Sequence, residues 1–303
     1  MWQKELTNDF SWSKSRHGKF QECLRLYWFH YYGSWGGWKD DAPAEVRQAY
    51  VLKNLSTRQQ WAGHVVHEHI AFALSLARHG EPPPLPVLVE RAHERMREGF
   101  SQSRKRAYWA RPKWTVGLVE HEYLETVSDE EWRANWQNAA SCLTRFYGSG
   151  WLAKARALEA GDWLPIDEIG SFVLDGVKVF AGPDFAFKSA DGAVLVDWKT
   201  GAPRAEDRDQ VLGYALYAHD RWGVPVQKVV ARLVYLGQGE EQDVKVDPAA
   251  LEGFLAHFRA SVAGMREKLR DPAANVAARE DFPMTEDLVR CRGCAFRRLC
   301  GRL

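Results

Sequence analysis

Residues 180–199 read FAGPDFAFKSADGAVLVDWK, two apolar runs joined by a turn at Asp191-Gly192. This hairpin constrains the fold more than any other stretch, because it carries Asp184, Asp197 and Lys199, charges that a buried sheet normally excludes. Strand side chains alternate faces, so Asp197 and Lys199 share one side while Trp198 takes the other. Residues equally distant from a hairpin turn face each other, which sets Asp184 opposite Asp197. Two carboxylates so placed can converge on one hard divalent cation. A lysine one pleat further on can hold a water and stabilise charge building on a phosphate. An ordinary ion pair between Lys199 and the acids accounts for the same three residues, and the hairpin alone does not separate the two.

Around the hairpin the apolar period changes. Before Trp163 it follows 3.6 residues, and after it two. Residues 11–32 read as a capped helix with Ser13 or Ser15 at the N-cap. Residues 43–78 read as two helices, and EPPPLP at 81–86 as a rigid connector. A basic helix is expected over 87–111 and a long helix from Ser128 to about Glu159. Strands follow at 169–174 and 177–187, joined through Asp175-Gly176, and at 194–199. A helix over 207–222, a buried strand over 226–236 and a helix over 248–270 complete the order. The expected class is α/β (α+β): a three-stranded meander, a helix and a further strand forming a central mixed sheet flanked by helices. Three segments are expected within one integrated unit: a helical region at 1–162, the mixed core at 163–270 and a cysteine-bearing segment at 271–303.

Composition narrows the partners. Lysine and arginine total 41 against 40 acids, a net charge of +1, so any polyanion must be met by a local patch. No apolar run is long enough to span a bilayer, and no basic-then-apolar leader is evident, so no membrane role and a cytoplasmic location are expected. Five cysteines in 303 residues are too few for a disulfide scaffold, and Cys291, Cys294 and Cys300 fall close together at the C-terminal end. With Cys23 they supply four thiolates, which suit zinc or an iron–sulfur cluster equally by spacing. Cys142 stands outside the pattern as a small buried hydrophobe. Arg104, Lys105, Arg106, Arg111 and Lys113 interleave with Tyr108, Trp109 and Trp114. Cations among aromatics suit single-stranded nucleic acid, and a solvated helix face is the plainer account.

Pro183-Asp184, a twelve-residue gap and Asp197-x-Lys199 resemble the PD-(D/E)xK nuclease superfamily, whose restriction-endonuclease-like core is a meander followed by a helix and a strand. Gln210-Val-Leu-Gly-Tyr214 is similar to the Q-x-x-x-Y motif of its RecB-type branch, with both residues on one helical face. Gly63-His-Val-Val-His67 is similar to that branch's G-x-x-x-H, whose histidine joins the metal shell. His64, on the same face as His67, is a neighbouring alternative. Glu168 precedes the first strand, where an acidic residue often stands. One early cysteine followed by C-x2-C-x5-C after the core resembles the iron–sulfur staple of AddB-type and CRISPR-associated RecB-like nucleases.

The resemblance covers nearly the whole chain, loosely between about 81 and 160. It implies a metal-dependent deoxyribonuclease, an exonuclease preferring single strands, in DNA repair, recombination or CRISPR-type processing. Asp184, Asp197, His67 and the Trp198 backbone carbonyl would bind Mg²⁺ or Mn²⁺, the imidazole tilting the site toward Mn²⁺. Lys199 would help activate a water, and Gln210 and Tyr214 would reach toward the site and the nucleic acid. Cys23, Cys291, Cys294 and Cys300 would hold a [4Fe–4S] cluster, with zinc as the alternative. Two other classes stay open: a nucleic-acid-binding module with a degenerate core, and a nuclease subunit working only with a separate helicase. The chain has no G-x-x-x-x-G-K-[ST] loop of its own, so DNA, a helicase or CRISPR adaptation proteins are the implied partners.

Overall fold

The computed structural model describes residues 6–302. Strand β1 (Ser11–Trp12) leads into α1 (Lys14–Glu22), whose N-cap is Ser13, its hydroxyl accepting from the Arg16 N–H. The single helix expected over 11–32 is interrupted. Cys23 is extended, with φ −165°, and α2 (Leu24–Trp28) begins after it before a wider π turn at Phe29–Gly33. The Arg25 N–H donates to Pro283 O at 3.2 Å, so the C-terminal segment takes a donor that a continuous helix would have used.

Helices α3 (Ala44–Lys53) and α4 (Arg58–His79) follow as expected, α4 starting on a capping box formed by Thr57 and Gln60. Helix α5 (Leu85–Arg104) ends well short of Arg111, because Arg106 turns into the left-handed region at φ 55°. Residues 105–118 form an arm that leads to the single turn α6 (Val119–Glu122). The long helix expected after Ser128 divides at Gly150 (φ 80°) into α7 (Asp129–Gly148) and α8 (Trp151–Arg156).

Strands β2 (Gly170–Leu174) and β3 (Val177–Ala181) pair antiparallel through Asp175 and Gly176, both at positive φ (47° and 73°), the geometry of a two-residue primed turn. Strands β4 (Phe185–Ser189) and β5 (Gly192–Lys199) form the next hairpin. The strand expected to run unbroken over 177–187 divides at Gly182-Pro183-Asp184. One half, β3, joins a sheet of order β1-β3-β2, and the other, β4, joins one that continues through β5. Pro183 lacks the N–H a ladder needs. A Cβ on Gly182 would lie 2.5 Å from Glu168 O, so the bend requires glycine. The mixed α/β class holds, with the meander shared between two sheets.

Helix α9 (Asp207–Trp222) crosses over from β5 to its parallel neighbour β6 (Val229–Tyr235). Strand β7 (Glu240–Val244), EEQDV, has no apolar alternation and is not foreseen in the sequence; it pairs antiparallel with β6 as a charged edge. Helices α10 (Pro248–Glu267) and α11 (Leu288–Arg292) complete the chain. Strand β5 separates two cores by its alternation. Ala193 and Leu195 pack with β2, β3, α9 and α10, while Val196 and Trp198 pack with α4, α7 and α8. A small third cluster of Phe29, Ala49, Leu52 and Phe296 joins α3 to the C-terminal segment. Among the described residues no helix is long and apolar enough to cross a membrane.

Candidate active site

The β4–β5 register ends at Phe185↔Val196, so the next residues outward, Asp184 and Asp197, stand across from each other as the turn-centred symmetry of the sequence predicts. Asp184 Oδ2 accepts from the Trp198 N–H at 2.7 Å, and Asp184 Oδ1 lies 3.1 Å from His67 Nδ1. Asp197 is only 2% exposed. Its Oδ1 accepts from Gln210 Nε2 at 3.0 Å and from the Tyr214 hydroxyl at 3.2 Å. Lys199 Nζ donates to Gln210 Oε1 at 2.7 Å and stands 2.7 Å from Asp197 Oδ2 as an ion pair.

Each group's protonation follows from these neighbours. Burial and then the charge of Asp184 push the Asp197 carboxyl above the usual carboxylate range, and Lys199 offsets only part of this. Burial alone would lower Lys199, but Asp197 outweighs it and holds the ammonium above its ordinary value. Burial also acts to lower His67, yet Asp184, with Asp197 and Asp167, raises it to about 9. Burial, with the two aspartates, keeps the Tyr214 hydroxyl protonated well above its usual range, so it serves as a donor.

Two carboxylates beside a histidine supply the oxygen and nitrogen donor types that suit Mg²⁺ or Mn²⁺ once the imidazole is neutral. The side chains are turned to Lys199 and the Trp198 N–H, and among the described residues no three His, Cys, Asp or Glu side chains form a group that could hold a metal ion as they stand. His64 is exposed, and it is His67 that touches Asp184. The acidic residue beside the site is Asp167, not Glu168. The Asp167 N–H donates to Asp184 O at 3.0 Å, and its carboxyl shares a cleft with His67 and Thr200. Glu168 lines a separate depression with Arg78 and His79. The place before the first strand pointed to Glu168; its neighbour Asp167, whose backbone is left-handed (φ 49°), is the one that faces the cleft. Asp207 also went unmarked in the sequence; its Oδ1 lies 3.7 Å from Lys199 Nζ.

A family model described as the PD-(D/E)XK nuclease superfamily matches residues 11–301. The chain belongs to the PD-(D/E)XK nuclease superfamily. No curated protein matches it. Membership makes it a metal-dependent nuclease by class, and the matched span runs from β1 past the last cysteine.

In this PD-(D/E)XK nuclease, Cys23, Cys291, Cys294 and Cys300 line one cavity with Leu26, Phe296 and Arg297. All four thiols are free. The Phe296 N–H donates to Cys294 Sγ at 3.4 Å, and burial pushes the Cys294 thiol up to about 12. The cavity is also bordered by Arg290, Arg297 and Arg302, and among the described residues no three of these thiols form a group that could hold a metal ion as they stand. Cys142 is buried in α7, as expected of a small hydrophobe.

The basic stretch divides. Arg106 Nη2, the Tyr108 hydroxyl and Trp109 Nε1 all donate to Glu122 Oε2, at 2.6, 2.8 and 2.9 Å. Arg106 and Trp109 thus serve the interior of the arm. Arg104 lies over the Phe100 ring, Lys105 is exposed, and Arg111 and Lys113 border an open groove.

Proposed function

We propose that the protein is a metal-dependent deoxyribonuclease of the RecB-like, iron–sulfur-containing branch, acting on single strands or free DNA ends as one integrated nuclease unit. The observation that carries this is a single contact network joining His67 on α4, Asp184 before β4, Asp197 and Lys199 on β5, and Gln210 and Tyr214 on α9. The intact set argues against a degenerate core, since each motif position keeps its side chain and its partner.

In this proposal Asp184, Asp197, His67 and the Trp198 carbonyl hold Mg²⁺ or Mn²⁺, which when bound supplies Lewis-acid stabilisation of the phosphate and a more acidic water. Lys199 stays protonated, because Asp197 raises its pKa, and so acts as a fixed positive charge and donor at the scissile phosphate. Gln210 orients Lys199 through Oε1 and Asp197 through Nε2, and Tyr214 fixes the same carboxylate oxygen. A water entering in line displaces the 3′ oxygen and leaves a 5′ phosphate. The four cysteines hold a [4Fe–4S] cluster that pins the C-terminal segment to the break before α2, a role supported by their shared cavity. DNA is the substrate, and any helicase or CRISPR adaptation partner is a separate chain in a reducing cytoplasm.

End-labelled linear and circular single-stranded DNA, incubated with Mn²⁺ or Mg²⁺, test the proposal. Asp197→Ala and Lys199→Ala are expected to abolish cleavage while leaving the fold and the bound iron unchanged. Wild-type cutting by Asp197→Ala would sink the assignment.

A further inference from the structure

We infer that the arm at residues 105–118 and helix α3 together form a second nucleic-acid site, a clamp that grips a single strand beyond the cutting residues. The inference rests on the nuclease proposal for its purpose but on separate residues for its evidence. Trp38, Arg47, Tyr50, Arg111, Lys113 and Trp114 line one open groove that contains no carboxylate. Among the described residues no acid pairs with Arg111 or Lys113. Trp114 is 84% exposed, the most open indole among the described residues. Cations beside an open indole match a chain of phosphates carrying stackable bases. An acidic peptide would use the cations and leave Trp114 in water.

The groove is preformed. Glu122 gathers three donors of the arm, the Val116 N–H donates to Gln102 Oε1 at 3.0 Å, and the Leu118 N–H donates to Ser103 Oγ at 2.9 Å. A strand binding there does not have to order the protein first, which lowers the entropic cost. Its position also suits a path to the active site. The Ser56 N–H donates to Gly117 O and Ser56 O accepts from Val119, tying the arm to the start of α4. From there the helix runs about 14 Å to His67 at the rise of an α-helix. The cleft beside His67 is lined by Gln59 and Gln60, at the same end of α4. Only strands long enough to reach both sites gain from the clamp.

The test compares Trp114→Ala and Arg111→Gln with the wild type in the full chain, using labelled poly-dT of about 6 and about 30 nucleotides. Anisotropy is expected to show Trp114→Ala binding the long strand about 10-fold more weakly with an unchanged salt slope. Arg111→Gln is expected to flatten that slope by about 0.7, the value for one phosphate of a single strand. In cleavage, Trp114→Ala raises KM for the long strand and leaves kcat unchanged, while the short strand is cut as by the wild type. Wild-type binding of the long strand by both variants overturns the clamp, whatever else the groove holds. Equal loss on short and long strands overturns it too. If wild-type protein cuts nothing and the variants still lose long-strand binding, the clamp stands and the nuclease proposal falls.

Discussion

Replacing Glu122 with alanine should cost far more than a surface glutamate would. The side chain is fully buried, and four donors point at it: Arg106, Tyr108 and Trp109 at Oε2, and Arg298 Nη1 at Oε1 at 2.8 Å. The contact with Arg298 is an ion pair, since Oε1 accepts no directed hydrogen bond. When the carboxylate goes, Arg106 and Trp109 recover water readily, being 43% exposed at the side chain and 37% exposed overall. Tyr108 cannot, because it is 1% exposed, and its hydroxyl is left without an acceptor. An orphaned buried hydroxyl costs about 1–3 kcal/mol, and because Arg106 and Arg298 stay in contact with water, each lost ion pair adds only about 0–1 kcal/mol. Thermal denaturation at pH 7 checks this, with Glu122→Gln, which keeps the volume, expected between the variant and the wild type. The pH dependence carries a sign. Burial acts to raise the Glu122 carboxyl, but its bonds from Arg106, Trp109 and Tyr108 win and hold it below the usual range. Its stabilisation is therefore complete above the unfolded value of about 4.3 and lost as pH falls through the folded value. The gap between wild type and Glu122→Ala should be widest near neutrality and close toward pH 3. A neutral-pH loss below about 1 kcal/mol would refute the arm's dependence on this one carboxylate.

Gly182→Ala places a Cβ 2.5 Å from Glu168 O, so the bend carrying Asp184 must shift. Nuclease activity is expected to fall at least 10-fold, with circular dichroism close to wild type; full activity would mean that Asp184 does not depend on that bend. Cys23→Ser should purify pale, with iron and acid-labile sulfide below wild type, while Cys142→Ser keeps both. Zinc in place of iron in anaerobically prepared wild type would decide for the other metal. His17 is driven down to about 4 by burial first, then by His257 and Lys14, so its folded form resists protonation. The unfolded chain binds that proton from about pH 6.5 downward, so stability should decline between about 6.5 and 4, by on the order of 1–2 kcal/mol after allowance for solvent screening. A melting temperature that is flat across that window, or unchanged in its pH slope by His17→Gln, counts against this.

Much of the site was written locally and could be read there. The distances of Asp184 and Asp197 from the Asp191-Gly192 turn are enough to face them across a ladder, and four-residue spacing puts Gln210 and Tyr214 on one side of α9. The break at Gly182 was hidden because apolar alternation resumes at once on its far side, and nothing in the pattern records that β3 and β4 join different sheets. Strand β7 was hidden because an edge strand needs no apolar face. The basic stretch holds contacts that its spacing does not record. Only the fold shows that Glu122 returns to meet Arg106 and Trp109, which stay partly open to water. The extended backbone at Cys23 was likewise imposed from a distance, by Pro283 taking the Arg25 N–H.

The two cores on either side of β5 give this nuclease a built-in safeguard. His67 rides on a helix of one core, Gln210 and Tyr214 on a helix of the other, and Asp184 sits where the two sheets part. A growing chain that has left the ribosome only as far as Lys199 already owns both aspartates, the lysine and His67 but lacks Gln210 and Tyr214, which hold Asp197. A proteolytic fragment holding either core alone is in the same position. Cutting power is therefore expected to arise late and all at once, when both cores have closed on the same strand.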